Sequence, residues 1–225
     1  MTSKKFEIDF HHLPQELPLF PLVGVLLLPR GLLPLNIFEP RYLRMFEYAL
    51  SNQRLIGISQ PTIDGVSGLS APDNSELYKI GCAGRITSFQ ETREGQIQIT
   101  IRGVCRFVIN SELPLMNGFR RANTDFKQFE DDYSEETMLT SERDRLLSGL
   151  QAYFKMENME ADWETIKKTP DDRLVTSIAM VCPFEPHEKQ AILESKDLTH
   201  RCKLVIGLIE SALRIGDDSA PTTIN

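Results

Sequence analysis

The chain has 225 residues, a length that suits one large domain or two small ones. With 41% hydrophobic and 25% charged residues it has the make-up of a globular protein with a sizeable core. The net charge of −7 is uneven, +1 over residues 1–125 and −8 over residues 126–225, which disfavours nucleic-acid binding by the back half and leaves the front half neutral.

In chain order, residues 1–14 read as a flexible N-terminus. Met1 to Phe10 is polar and charged and lacks the apolar stretch of a secretory signal, and no run can span a bilayer, so a cytoplasmic location and no membrane partner are expected. From Leu17 to Tyr42 runs LPLFPLVGVLLLPRGLLPLNIFEPRY, two apolar bursts cut by five prolines. Proline-cut runs this short read as buried strand segments joined by rigid turns, with Val23 to Leu28 as a strand and Arg30-Gly31 as a turn at which glycine takes the positive φ. Pro40 suits the first position of a helix, and Leu43, Phe46, Glu47 and Leu50 place a short amphipathic helix over residues 41–51. Leu55 to Ser59 is a buried strand, and Pro61 to Glu76, rich in Gly, Ser, Asp and Pro, is a surface loop.

Strand pattern returns over Tyr78 to Phe89. A hairpin turn at Arg93-Glu94-Gly95 leads to Ile97, Ile99 and Ile101, which alternate with Gln96, Gln98, Thr100 and Arg102, the clearest period of two in the chain. Gly103 suggests a bulge, after which Cys105, Phe107 and Ile109 resume the inward face. The acidic run Glu130 to Glu136 reads as a solvated linker over residues 129–136. Beyond it, residues 137–216 read as helices marked by Leu139, Leu146, Leu147, Leu150 and Phe154, by Trp163 and Ile166, by Leu174, Ile178 and Val181 after a Thr169-Pro170-Asp171-Asp172 start, by Ala191, Ile192 and Leu193 after Glu185-Pro186, and by Leu198, Cys202, Val205, Ile209 and Leu213. Residues 217–225 read as a disordered tail.

Two motif clusters carry a family resemblance. The pieces Leu17–Leu22, Leu33–Leu35 and Ile37–Tyr42 match the L-P-L-F-P-L, L-P-L and I-F-E-P-R-Y pattern, with the usual P-G between them interrupted by Arg30; Tyr78, Gly81, Ile86 and Gly95, then Gly103, Arg106 and Phe107, match the strand, hairpin and G-x-x-R-F pattern. In these residues the chain resembles the substrate-binding domain of the ATP-dependent Lon proteases. The E-K-Q-x-x-L-E stretch at Glu188 to Glu194 fits as well. The resemblance implies an α+β fold: a PUA-like β pseudo-barrel with a short helix over residues 15–128, followed by a C-terminal α-helical bundle. It also implies a non-catalytic peptide- or protein-binding module whose partners are unfolded or tagged polypeptides, with a protease or chaperone as a further partner. Phe38, Glu39, Pro40, Arg41 and Tyr42, with Gly103, Arg106 and Phe107, are its structural motif.

Other chemistry finds little support. A Lon protease needs a G-x-x-x-x-G-K-[ST] phosphate loop, and no such string occurs, so a stand-alone homologue without motor or peptidase is expected. No G-x-S-x-G elbow is present, and no enzymatic activity and no cofactor are expected. Cys182, His187, His200 and Cys202 have atypical zinc spacing, so no metal is expected; Cys82 and Cys105 fall on inward strand faces, and all four cysteines are expected as free buried thiols. Arg41 offers a rigid fork that would pin the helix after Glu39-Pro40. Arg85, Arg93, Arg102, Arg106, Arg120 and Arg121 keep an RNA-binding barrel as the alternative, although few aromatic residues interleave them. A barrel edge can accept an extended peptide by strand addition, and Leu32, Leu33 and Leu35 are the candidate peptide-binding residues. An adaptor presenting clients to a separate protease is a further alternative. Nothing in the sequence sets the oligomeric state.

Overall fold

The alternation at Ile97, Ile99 and Ile101 opens a 20-residue strand around which the first part of the chain is organised. The structure is a computed structural model that describes residues 8–62, 71–72, 74–134, 137–138, 140–156 and 158–218. Its strands are β1 (Glu16–Pro21), β2 (Leu32–Ile37), β3 (Leu55–Ser59), β4 (Ile80–Glu91), β5 (Ile97–Met116) and β6 (Phe119–Asp125). They form one sheet in the order β2-β5-β4-β3-β1-β6, and a further β5–β6 pairing closes β5-β4-β3-β1-β6 into a ring. The pairings are antiparallel except β1 with β3. β5 pairs with β2 along Ile97–Arg102 and with β6 from Val108 onward, so β2 is an appended strand and the ring is a pseudo-barrel rather than a uniform one. The fold is α+β, as the resemblance implies.

The chain divides into two compact units. The first comprises Met1–Ser134 together with Glu185–Leu193. Its barrel is filled by Leu17, Leu19, Leu55, Ala83, Cys105, Phe107, Ala122, Phe126 and Phe129. Phe107 is fully buried at the centre, and Gly57 and Gly81 leave room for its ring: a Cβ there would lie 2.9 Å and 2.6 Å from it. A second layer of side chains covers the opposite face of these strands, which is why all five residues of β3 are buried. It includes Tyr42, Met45, Phe46 and Ala49 of helix α1 (Pro40–Leu50) and the chain segment Leu26–Leu28.

The strand expected over Val23–Leu28 is absent. That segment is buried but unpaired, because Gly24 turns the chain at φ 67° and the sheet pairing is already used by β1, one step earlier. At the next turn the positive φ falls on Arg30, at 65°, not on Gly31. The Arg30 N–H donates to the Gly103 carbonyl at 2.9 Å and the Gly103 N–H to the Gly31 carbonyl at 2.9 Å. A Cβ at Gly103 would sit 2.0 Å from the Leu28 carbonyl oxygen, so this glycine is required by close backbone approach. The expected bulge is found beside it, where the β4–β5 register shifts between Ala83 and Gly84. The turn at Gly95 and the helix start at Pro40 are found as expected.

Part of the expected acidic linker is ordered in the first unit: Lys127–Tyr133 makes two short 3-10 pieces across a kink at Phe129, with Asp132 buried against Arg106, whose buried charge needs that carboxylate, while Glu130 and Asp131 stay exposed. Residues 135, 136 and 139 lie outside the described residues, as do 63–70 and 73 of the expected loop, 1–7 of the expected flexible N-terminus and 219–225 of the expected tail. Within the expected N-terminus, Phe10–His12 forms a short 3-10 helix that the Asp9 side chain caps, and the Ile8 carbonyl accepts from the Tyr133 hydroxyl.

The second unit comprises Glu135–Phe184 and Glu194–Asn225. Its helices are α2 (Thr140–Met156), α3 (Trp163–Lys168), α4 (Asp171–Val181) and α6 (Leu198–Asp218). α2 and α4 pack on α6 through Leu146, Leu150, Leu174, Ile178, Val205 and Ile209. Thr169 does not cap α4 as its sequence suggests; it caps α3 at the C-terminal side, and Asp171, already in α4, takes an ion pair from Arg143. Helix α5 (Pro186–Glu194) belongs mostly to the first unit. Lys189 Nζ donates to the Gly24 carbonyl at 2.9 Å, Gln190 Nε2 to the Ile80 carbonyl at 3.1 Å, and Arg106 Nη1 to the Leu193 carbonyl at 3.1 Å.

Candidate functional site

β2 lies at the end of the strand order, and alternation divides its residues between two faces. Leu33, Leu35 and Ile37 oppose Ile101, Ile99 and Ile97 of β5 and turn toward the core, while Leu32, Pro34 and Asn36 oppose Arg102, Thr100 and Gln98 and turn outward. The three candidate leucines therefore do not form one surface. Leu32 is 61% exposed; Leu33 and Leu35 are half-buried, since they must cover the isoleucines of β5.

The outward face continues onto β4, where Ser88 opposes Thr100 and Gln90 opposes Gln98. Together these strands floor an open hollow of about 530 Å³ lined by Pro34, Leu35, Asn36, Ser88, Phe89, Gln90, Gln98, Ile99 and Thr100. Phe89 is 52% exposed, and its ring meets that of Phe46 edge-on at 5.3 Å. Phe38, one residue beyond β2, is 60% exposed. Polar floor, apolar margins and a terminal strand make a surface suited to main-chain and side-chain recognition at once. Phe89 was missed by sequence reasoning, although a phenylalanine at the polar end of a strand, in TSFQE, is a signal of this kind.

The remaining motif residues build the scaffold beneath this surface. Pro40 occupies the first turn of α1, and Glu39 precedes it without a side-chain cap. Arg41 pairs with Glu39 at 2.9 Å and lies 4.6 Å over the Tyr42 ring, which packs against Phe20 with centroids 4.2 Å apart. These contacts gather at the start of α1. Arg106 is 3% exposed and holds Asp132 in a fork, with Nη2 to Oδ1 at 2.7 Å and Nε to Oδ1 at 3.0 Å. Its guanidinium also stacks 4.6 Å over Phe129. So Gly103, Arg106 and Phe107 serve, in turn, a close backbone approach, a buried ion pair and the barrel centre.

Three of the six arginines read as a possible RNA face are engaged in ion pairs. Arg106 is buried, Arg120 pairs with Glu112 at 2.5 Å and Arg121 with Glu16 at 3.2 Å. The four cysteines are buried thiols, none of them in a disulfide. Burial, reinforced by the nearby Asp132 carboxylate, raises the thiols of Cys82 and Cys105 well above the ordinary range, and burial pushes Cys202 up to about 11. Such thiols are poor nucleophiles and poor metal ligands. Among the described residues no three His, Cys, Asp or Glu side chains come together as a metal site, and His200 instead pairs with Asp197 at 2.9 Å. No helix among the described residues is long and apolar enough to cross a membrane.

The family profile of the ATP-dependent protease La (LON) substrate-binding domain matches residues 16–211. The chain belongs to the Lon substrate-binding domain family. This Lon domain is 25% identical over 202 residues to the Lon protease of Brevibacillus choshinensis, an alignment covering 88% of this chain and 25% of that protein. It is 27% identical over 214 residues to Lon protease 2 of Myxococcus xanthus, covering 90% and 24%. The chain thus spans about a quarter of the length of these curated relatives. Among solved structures, the Lon N-terminal domain protein from Xanthomonas campestris superposes with a TM-score of 0.61 at 19% identity, over 86% of this chain and 98% of that one. The N-terminal domain of a Mycobacterium avium complex Lon protease superposes with a TM-score of 0.62 at 14% identity, over 87% and 98%. The family match is to the substrate-binding domain of Lon, and the solved structures share its fold.

Proposed function

We propose that this Lon domain is a non-catalytic, cytoplasmic peptide-binding module that takes extended segments of unfolded polypeptides on the outward face of β2, β5 and β4. The observation that carries this reading is the hollow of about 530 Å³ on a terminal strand, lined by Pro34, Asn36, Thr100 and the exposed Phe89. An extended client would add its backbone to β2 and place alternate side chains beside the outward-facing Leu32 and Pro34. Presentation of the bound client to a separate protease or chaperone is the downstream role this reading assigns. The engagement of Arg106, Arg120 and Arg121 in ion pairs favours polypeptide over RNA.

The test is fluorescence anisotropy with a labelled, permanently unfolded polypeptide. Leu32→Asp, at an exposed position, should leave the melting temperature unchanged, whereas Phe89→Asp also gives up the edge-on contact with Phe46 and should lower it slightly; each should weaken affinity about tenfold, the effect of losing an apolar anchor. Unchanged affinity in both variants overturns the proposed surface. A steep fall of affinity with salt, together with capture of RNA, would move the reading to nucleic acid.

A further inference from the structure

Arg85 of β4 and Arg102 of β5 stand directly opposite each other in the antiparallel register, with Leu32 of β2 next in the same row. Like charges placed opposite one another across strands destabilise a sheet. Among the described residues no carboxylate pairs with either guanidinium. The Arg85 Nε is moreover inaccessible and has no hydrogen-bond partner, a cost a folded chain rarely bears without cause. Arg85 also lines a hollow of about 510 Å³ with Ile8, Asp9, His12, Asn52, Gln53 and Arg54. Arg54 enters it from the turn that closes α1, at φ 60° with its N–H donating to the Ala49 carbonyl at 2.9 Å. The acid of this hollow, Asp9, is committed locally: its carboxylate accepts from the His11 N–H at 3.0 Å and lies 3.8 Å from His12 Nδ1.

The row Arg85–Arg102–Leu32 is continuous with the peptide face described above. Thr100 and Ser88 form the next row on the same side, and Gln98 and Gln90 the one after it. At about 3.3 Å per residue, the arginine row lies roughly 13 Å from the glutamine row, within the reach of a short extended peptide. The face therefore has a neutral, amide-rich end and a cationic end.

We infer that Arg85 and Arg102, with Arg54, form an oxyanion-binding site at the end of the β2–β5–β4 face, and that it takes a carboxylate of the bound polypeptide. This rests on the peptide-binding reading for its ligand, but the anion site can be tested without it. Two guanidinium groups meeting one carboxylate through their outer nitrogens would cancel the like-charge repulsion. The carboxylate has two sources, a chain terminus or an acidic side chain.

The first arm measures thermal melting with inorganic phosphate at constant ionic strength, in wild type and in the Arg85→Gln/Arg102→Gln double variant. Phosphate should raise the melting temperature of wild type alone; an equal response in both proteins, or none in wild type, overturns the site. Without phosphate the variant should melt close to wild type, because relief of the repulsion offsets the packing that the half-buried Arg85 stem gives up. The second arm compares three labelled decapeptides of one neutral sequence: free C-terminus, amidated, and amidated with one internal Glu. A charge-assisted bond is worth about tenfold in affinity, so the free or Glu-bearing peptide should bind wild type about tenfold more tightly than the neutral one, and the variant should show no preference. Whichever acidic peptide gains identifies the source. Equal binding of all three to wild type overturns the carboxylate assignment and leaves the peptide face standing. If no peptide binds, the peptide reading fails, and the phosphate arm alone decides the anion site.

Discussion

Gly103 shows how one missing side chain can hold a fold together. Its N–H and carbonyl reach Gly31 and Arg30, and the Leu28 carbonyl lies where a Cβ would be. Gly103→Ala should therefore cost about 3 kcal/mol or more, since the clash is with backbone that cannot rotate away; urea denaturation measures it. A variant as stable as wild type would show that the segment Leu28–Gly31 can move aside. The requirement for a small residue here was legible in the sequence, but its reason was not, because the Leu28 carbonyl comes from a segment 75 residues earlier in the chain. The same limit applies to Leu33 and Leu35. An apolar run after a turn reads equally as surface or core, and only the register with Ile101 and Ile99 settles which side each residue takes.

Elements follow their sequence signals where the cause is local. Pro40 starts α1 and the alternation of isoleucines makes β5, because both depend on neighbours in the chain. Signals failed where a distant partner overrides composition. Within the acidic run Asp132 is drawn into the first unit by Arg106, and Val23–Leu28 stays out of the sheet despite its strand-like make-up. Helix starts also make pH-dependent contributions. Asp197, just before α6, accepts from the His200 N–H at 2.8 Å, and this bond, with lesser help from the His200 side chain, lowers its carboxyl below the usual range. Its support for α6 is then fully present above the unfolded pKa of about 4 and fades as pH falls through the lower folded value. Asp197→Ala should cost about 1 kcal/mol at neutral pH, and the difference from wild type should vanish in acid; thermal melts across pH check it.

For the molecule as a whole, the two units are not consecutive in sequence. The chain leaves the first unit after Ser134, returns for Glu185–Leu193 and leaves again. A fragment ending at Ser134 should thus be less stable than one that includes α5, because Gly24, Ile80 and Arg106 lose partners supplied by Lys189, Gln190 and Leu193. Comparison of residues 8–134 with residues 8–218 by urea denaturation tests this, and equal stability of the barrel signal in the two would show α5 to be dispensable. The excursion also orders events during translation. The ribosome completes every strand of the ring by Asp125, yet the last piece of that unit is made only after α2, α3 and α4 have emerged. Until then a nascent barrel must wait with its α5 contacts unmade, and a chain stalled or cleaved in that interval would present an unfinished domain to the cell's quality control.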